Sequence, residues 1–261
     1  MISLERRDGR PLRIGHRGAA ALAPENTLGA MRAALQVGVD LIEFDVLALD
    51  DGELVVAHSN DLFEVSHGVA HGTVRDKALP DLREIAPELP TLSEVLGFFV
   101  DEAPDAGLHL DLKAAGAAHD VAALLGRFGL LERALVSSFR TDVVRELSRI
   151  EPRLRGAISF PEDRLGVSRH RGSALLVGVG LRCLRPLAAV LARRLVARSG
   201  ATILSLEHTL VTSALVSGMH RRGTSVIAWT VADPRDLERV DVAGVDAVVV
   251  DDPRMFEIRL G

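Results

Sequence analysis

Residues 41–59, LIEFDVLALDDGELVVAHS, set two carboxylates, Glu43 and Asp45, into an apolar run and then turn back through Asp51-Gly52 to His58. Side chains alternate along a strand, so Glu43 and Asp45 share one face while Ile42, Phe44 and Val46 take the other. An Asp-Gly pair between such runs signals a two-residue hairpin, because the turn needs positive φ. That register pairs Asp50 with Glu53 and places His58 directly across from Asp45, with Cβ atoms about 5 Å apart. A longer loop would slip the pairing by a residue. An acid-bearing hairpin in isolation is more often a solvated face than a site, so the remaining chain has to decide.

Further candidates stand at the ends of other apolar runs. His16 and Arg17 follow Leu12–Gly15; His109, Asp111 and Lys113 share a face of LHLDLK; Ser137–Phe139, Trp229-Thr230 and Asp251-Asp252 close later runs. Three acids from neighbouring strands make an oxygen-rich set suited to Mg²⁺ or Ca²⁺, and without a cation they would repel one another. Arg17 and Lys113 are fixed cations able to hold a phosphate. The chain has only two lysines, Lys77 and Lys113, so an ammonium at 113 stands out against general arginine use. His16 and His58 can act as base and acid on opposite sides of a phosphorus centre.

These residues need a scaffold that gathers strand ends. The expected strands are 12–15, 41–47, 108–112, 134–138, 155–159, 202–206, 225–230 and 246–250. The expected helices are 26–37, with Asn26 as N-cap, then 92–100, 121–128, 142–150, 187–198, 212–222 and 233–240. Strands joined by crossover helices pair in parallel. Eight such units predict an α/β fold, a TIM (β/α)₈ barrel forming one domain over 1–261, with a doubly wound open sheet as the alternative. A polar insertion, about 59–90, follows the strand-two hairpin at the catalytic mouth. In the stretch 164–185, residues 174–179 fit either a strand or a helix.

Composition narrows the classes. The 261 residues are 48% hydrophobic and 26% charged, with net charge −5 and no block of like charge, which argues against nucleic acid or an anionic membrane as partner. One cysteine, Cys183, rules out an internal disulfide and a thiolate metal cluster, and is expected to be a buried small hydrophobe. No leader-like segment or membrane span is seen, so a cytoplasmic enzyme is the expectation. Arg193, Arg194 and Arg198 fit the solvated face of a helix.

Several residues have plainer readings. Glu25 and Asn26 are expected to brace a loop and helix start. His67 and His71 have zinc-like spacing, but Gly68 and Gly72 argue for a surface loop. His109 fits a hydrogen-bonded barrel lining, Ser137 and Ser138 lack the glycines of a nucleophile elbow, and Asp251 and Asp252 fit a cap on the last turn.

The block GHRGAAALAPENTLGAMRAALQVGVDLIEFDVLALDDGELVVAHS, followed in order by LPTLSEVL, LDLK, SSF, AWTV and GVDAVVVDDP, resembles the glycerophosphodiester phosphodiesterases. The resemblance implies a metal-dependent hydrolase on a TIM barrel, with a small-molecule glycerophosphodiester as substrate and one divalent cation, Mg²⁺ or Ca²⁺, as cofactor. It implies His16 and His58 as catalytic, Glu43, Asp45 and Asp111 as metal ligands, Arg17 and Lys113 as phosphate contacts, and Trp229 beside the glycerol or alcohol part. Two departures stand out. The family usually has glutamate where this chain has Asp111. It also usually has aspartate after the second histidine, where this chain has Ser59, a loss expected to weaken His58. A lysophospholipase D, with Leu62, Phe63 and Val65 lining an acyl groove, and a non-catalytic phosphodiester-binding barrel are the alternative functions.

Overall fold

The computed structural model of the protein describes residues 2–113, 116–162 and 174–257. Among them run strands β1 (Leu12–Gly15), β2 (Leu41–Ala48), β3 (Leu54–Val56), β4 (Gly107–Leu112), β5 (Ala134–Ser138), β6 (Arg155–Phe160), β7 (Ile203–Glu207), β8 (Ser225–Val231) and β9 (Ala247–Val250). The helices are α1 (Leu28–Val37), α2 (Leu62–Val65), α3 (Leu79–Ile85), α4 (Leu92–Asp101), α5 (Ala118–Arg127), α6 (Thr141–Ile150), α7 (Ala174–Ser199), α8 (Ser213–His220) and α9 (Pro234–Val242). The sheet order is β1-β9-β8-β7-β6-β5-β4-β2-β3, and β1 also pairs with β2. That pairing, Ile14 with Leu41 and Gly15 with Ile42, closes the sheet. The fold is therefore a parallel (β/α)₈ barrel and not the open sheet; β3 is an antiparallel appendage of β2. No helix among the described residues is long and apolar enough to cross a membrane.

Strand alternation divides the barrel as the sequence implies. Ile42, Phe44, Val46, Leu108, Leu110 and Leu112 point outward into a core shared with Val95, Leu96 and Phe99 of α4 and Val121 of α5. A second layer fills the barrel's interior at the amino ends of the strands: Leu12, Ile14, Leu41, Leu135, Ile203, Ile227 and Val249, with Leu4 beneath. Full burial of each such Leu, Ile or Val stabilises by about 1.5–3 kcal/mol. Polar side chains are left for the opposite, carboxyl end.

Three expectations need correction, and one open reading is decided. The hairpin loop has three residues, Asp50 to Gly52, because Leu49 N–H donates to Glu53 O at 2.8 Å and Val46 pairs with Val56; Gly52 supplies the positive φ of 94°. Asp45 therefore faces Ala57, whose N–H donates to its carbonyl at 3.1 Å. His58 lies past the end of β3, where the departing chain and not strand alternation aims the side chain. The cap of α1 is Thr27, whose hydroxyl accepts from Ala30 N–H; Asn26 is left-handed, at φ 60°. Residues 174–179 are helical, in α7, whereas 164–173 lie outside the described residues. Cys183 sits on the solvent side of α7 and is exposed, not buried. The arginines Arg193, Arg194 and Arg198 are exposed on the same helix, as expected.

The insertion holds more order than its polar composition suggests. It forms α2 and α3 around a small core of Leu62, Val74, Leu82, Ala86 and Leu89, packed on Leu47, Val55 and Ala57 of the hairpin. Of the residues proposed for an acyl groove, Leu62 is spent in that core while Phe63 is 44% exposed, its ring stacked on His71 at 4.6 Å.

Candidate active site

The eight residues singled out from sequence, His16, Arg17, Glu43, Asp45, His58, Asp111, Lys113 and Trp229, all line one cavity of about 150 Å³ at the carboxyl mouth of the barrel. They arrive there from β1, β2, β4, β8 and the chain after β3. The turn after β1 is tight: His16 N–H donates to Val250 O at 2.9 Å and Gly18 N–H to Glu43 O at 3.0 Å. Gly18 has φ +89°, and a Cβ there would stand 2.6 Å from the backbone carbon of Ala30, so only glycine lets this turn press against α1.

Three carboxylates are buried in the mouth: Glu43 at 5%, Asp45 at 2% and Asp111 at 6% exposure. Glu43 accepts Arg17 N–H at 2.9 Å. Burial, then the charges of Asp45 and Asp111, push its carboxyl upward, with His16 opposing. For Asp45 burial also works upward, but Lys113, then Arg17 and His58, outweigh it and hold the group well below the usual carboxylate range. Lys113 Nζ lies 2.6 Å from both Asp45 Oδ1 and Asp111 Oδ2. Burial would favour a neutral amine there; the two acids reverse this and keep the ammonium charged. Asp111 also accepts the Ser137 hydroxyl at 2.6 Å. His109, hydrogen-bonded to Ser137 at 2.9 Å, is pushed down to about 4 by burial and is a neutral lining residue, as expected.

His16 and His58 each have a carboxylate on Nδ1. Asp251 Oδ1 lies 2.6 Å from His16 Nδ1, and Glu64 Oε1 lies 2.5 Å from His58 Nδ1. Burial would lower the basicity of His16, but the bond to Asp251 and the charge of Glu43 raise it overall. Asp251 is itself pulled down by that bond, against burial.

Sequence reasoning gave Asp251 only a capping role and passed over Glu64. The signal for Asp251 was present, since it directly follows β9 at the mouth. Glu64 gave none, because its approach depends on how the insertion folds. Glu25 and Asn26 brace the site and not merely a helix start. Arg17 Nη1 donates to both oxygens of Glu25 at 2.7 Å, and Asn26 Nδ2 donates to Asp45 Oδ2 at 2.9 Å while its Oδ1 accepts Asp45 N–H at 3.1 Å. Arg17 Nε stands 3.2 Å from Asp45 Oδ2 but is misaligned and makes no hydrogen bond. Trp229 stacks edge-on with Phe139 at 5.7 Å, and its buried indole N–H has no partner. Glu25, His58 and Glu64 also bring one ligand atom each within 4.8 Å of one another, a spacing an ion can bridge. There, however, Arg17, His58 and Ser59 already occupy the two acids with hydrogen bonds.

A mouth that gathers two fixed cations, three buried acids able to hold a further cation, and two carboxylate-backed imidazoles offers the groups that bind a phosphate and move protons at its ester oxygens. Fold and site thus define a barrel phosphoesterase. The profile of the "Glycerophosphoryl diester phosphodiesterase family" matches residues 16–255. The chain belongs to this family, whose members are hydrolases. A "Glycerophosphodiester phosphodiesterase" of Caldanaerobacter subterraneus subsp. tengcongensis is 26% identical over 256 aligned positions, covering 92% of this chain and 93% of its own. A Silicibacter pomeroyi protein of known structure shares the fold at TM-score 0.75 and 26% identity, over 97% of this chain and 93% of its own. An Oleispira antarctica phosphodiesterase, solved in complex with the product sn-glycerol-3-phosphate, has TM-score 0.70 at 22% identity over 95% and 96% of the two chains.

Proposed function

We propose that this protein, as one barrel domain, hydrolyses glycerophosphodiesters to sn-glycerol 3-phosphate and an alcohol. The observation that carries the reading is the convergence of two imidazoles, three carboxylates, Arg17 and Lys113 on one cavity of about 150 Å³. The names of the relatives, and the product bound in the Oleispira enzyme, support the same substrate class.

The mouth fits a divalent cation. Glu43 is buried beside two like charges and held upward in pKa, and the one ammonium in reach is already shared between Asp45 and Asp111. Glu43, Asp45 and Asp111 would hold Mg²⁺ or Ca²⁺, hard ions matched to oxygen ligands. When bound, the ion supplies Lewis-acid polarisation and charge neutralisation at the phosphate. Arg17 and Lys113 bind non-bridging oxygens, and the free Trp229 N–H and the Ser159 and Ser205 hydroxyls lining the cavity suit the glycerol. His16 Nε2 takes the proton from the attacking oxygen as the new P–O bond forms: attack by water gives sn-glycerol 3-phosphate directly, whereas attack by the substrate's own glycerol hydroxyl gives a cyclic phosphodiester that a second attack, by water, opens to the same product. His58 Nε2 gives a proton to the leaving alkoxide as the old P–O bond breaks.

A second cavity, about 270 Å³, opens beside His58 between α2 and α3, lined by Val56, Val65, Ile85 and Leu89 with Glu25, Glu64 and Glu88. It is the place for the leaving alcohol. Its apolar wall is what favours the second reading, a lysophospholipase D, although its volume is at the small end of ligand pockets. The test is turnover of glycerophosphocholine and lysophosphatidylcholine by wild type, His16→Ala and His58→Ala, with and without EDTA. Losses of at least 100-fold in both variants and under chelation are expected; near-wild-type, EDTA-resistant turnover throughout would defeat the proposed mechanism, and no turnover by wild type would leave only a binding barrel.

A further inference from the structure

Glu64 lies outside the barrel, on α2, and nothing in the strand pattern gives it a task. Both its oxygens are nevertheless fixed. Oε1 meets His58 Nδ1 at 2.5 Å, and Oε2 accepts the Ser59 hydroxyl at 2.6 Å. Ser59 Oγ in turn accepts Asp61 N–H at 3.1 Å, and the Asp61 side chain caps α2 by accepting Phe63 N–H at 3.0 Å. Leu62, 1% exposed, anchors the helix in the insertion's core. The contact between Glu64 and His58 is thus held by a short, continuous set of bonds running from hairpin to helix.

Its chemistry follows from donor and acceptor inventory. An ionised carboxylate can only accept, so Nδ1 must carry the proton and Nε2 is the nitrogen left for reaction. The bond from His58, then the bond from Ser59, pull Glu64 down to about 2 against partial burial, so the carboxylate is ionised at any working pH. Asp251 treats His16 in the same way. We infer that Glu64 is the positioning residue of His58, fixing through Nδ1 the tautomer and ring orientation from which Nε2 protonates the leaving alkoxide. The insertion, and not the barrel, then sets the geometry of leaving-group departure. This deepens the reading of His58 as acid and rests on it. In the step itself the Nε2 proton passes to the leaving oxygen as the P–O bond breaks. His58 becomes neutral, Nδ1 keeps its proton, and Glu64 neither gains nor loses one.

The same carboxylate explains how Ser59 is tolerated. With no acid at position 59, the anion reaches His58 from five residues further on, and Ser59 clamps it in place.

The test compares Glu64→Gln with His58→Ala on two substrates, glycerophosphocholine and glycerol 3-phosphate p-nitrophenyl ester, whose leaving group needs no proton. A general acid contributes about 100- to 10,000-fold, and loss of its orienting partner takes part of that. Glu64→Gln should lower kcat on glycerophosphocholine about 10- to 100-fold with KM within about threefold, and lower kcat on the p-nitrophenyl ester by less than about threefold. His58→Ala should show the same pattern, amplified. Ser59→Asp placed in the Glu64→Gln chain should recover part of the lost kcat, since residue 59 borders the same anion. Circular dichroism and the thermal midpoint confirm folding, and Glu64→Asp serves should Glu64→Gln not fold. If His58→Ala slows both substrates alike, the acid assignment of His58 fails; Glu64→Gln following that same pattern still supports positioning. Glu64→Gln that leaves both substrates unaffected, or departs from the pattern of His58→Ala, overturns the inference.

Discussion

The two ends of the barrel's interior are built on opposite terms. At the amino end, Ile14, Leu135, Ile203 and Ile227 are completely buried and pack together in an apolar cluster. At the carboxyl end, nearly as buried positions hold Glu43, Asp45, His109 and Asp111, with Lys113 shared between two of the acids. Burying apolar groups stabilises the fold directly, whereas buried charges at best offset their own desolvation. The floor therefore adds to the stability of the outer cores, whereas the mouth adds little and is kept for the chemistry proposed for it.

That contrast can be broken from either side. A charge placed in the floor should have the largest effect: Ile227→Asp buries an unpaired carboxylate among hydrocarbons, at a cost of several kcal/mol. Recovery of soluble, cooperatively unfolding protein should fall sharply, and a variant melting near wild type would show that the floor is wetter than its contacts imply. In the mouth the signs should separate. Glu43→Gln keeps an oxygen for Arg17 N–H but removes one of three crowded anions. Turnover should fall about 1,000-fold while the metal-free thermal midpoint rises by about 2 °C or more. A lower midpoint would mean that Glu43 stabilises the apo fold.

The smallest effect lies at the rim. Glu64 has a folded pKa of about 2 against an ordinary 4.5. A depressed carboxylate contributes stability that is complete above the unfolded value and is lost as pH falls through the folded one. Urea unfolding should show wild type ahead of Glu64→Gln by a constant margin above about pH 5. The margin should shrink between pH 4.5 and pH 2. A margin that grows on acidification would contradict the ionised Glu64–His58 contact.

Much of this was legible in the chain, for reasons that differ by region. The β2 alternation alone put Glu43 and Asp45 inward and Ile42, Phe44 and Val46 outward, and the same rule placed Asp111 inside and Leu110 outside. Period-2 geometry is local, so no tertiary knowledge was required. The hairpin register was missed by one residue because two- and three-residue loops both accept Asp51-Gly52, and the choice depends on where Leu49 and Glu53 pair. Asn26 was misplaced as a cap because a side chain able to cap a helix can as well bond a distant carboxylate, Asp45. Cys183 was misjudged because one cysteine carries no periodicity of its own; its exposure follows from how α7 is rotated.

The sequence by itself determined the parallel α/β architecture and which side chains each strand offers to the interior, since both follow from repeating backbone geometry. Closure of β1 onto β2, the carboxylates of Asp251 and Glu64 behind the two imidazoles, and the cavity beside His58 were decided only by the tertiary structure. Those contacts join residues whose proximity depends on how whole elements pack, and no local pattern of residue types encodes that packing.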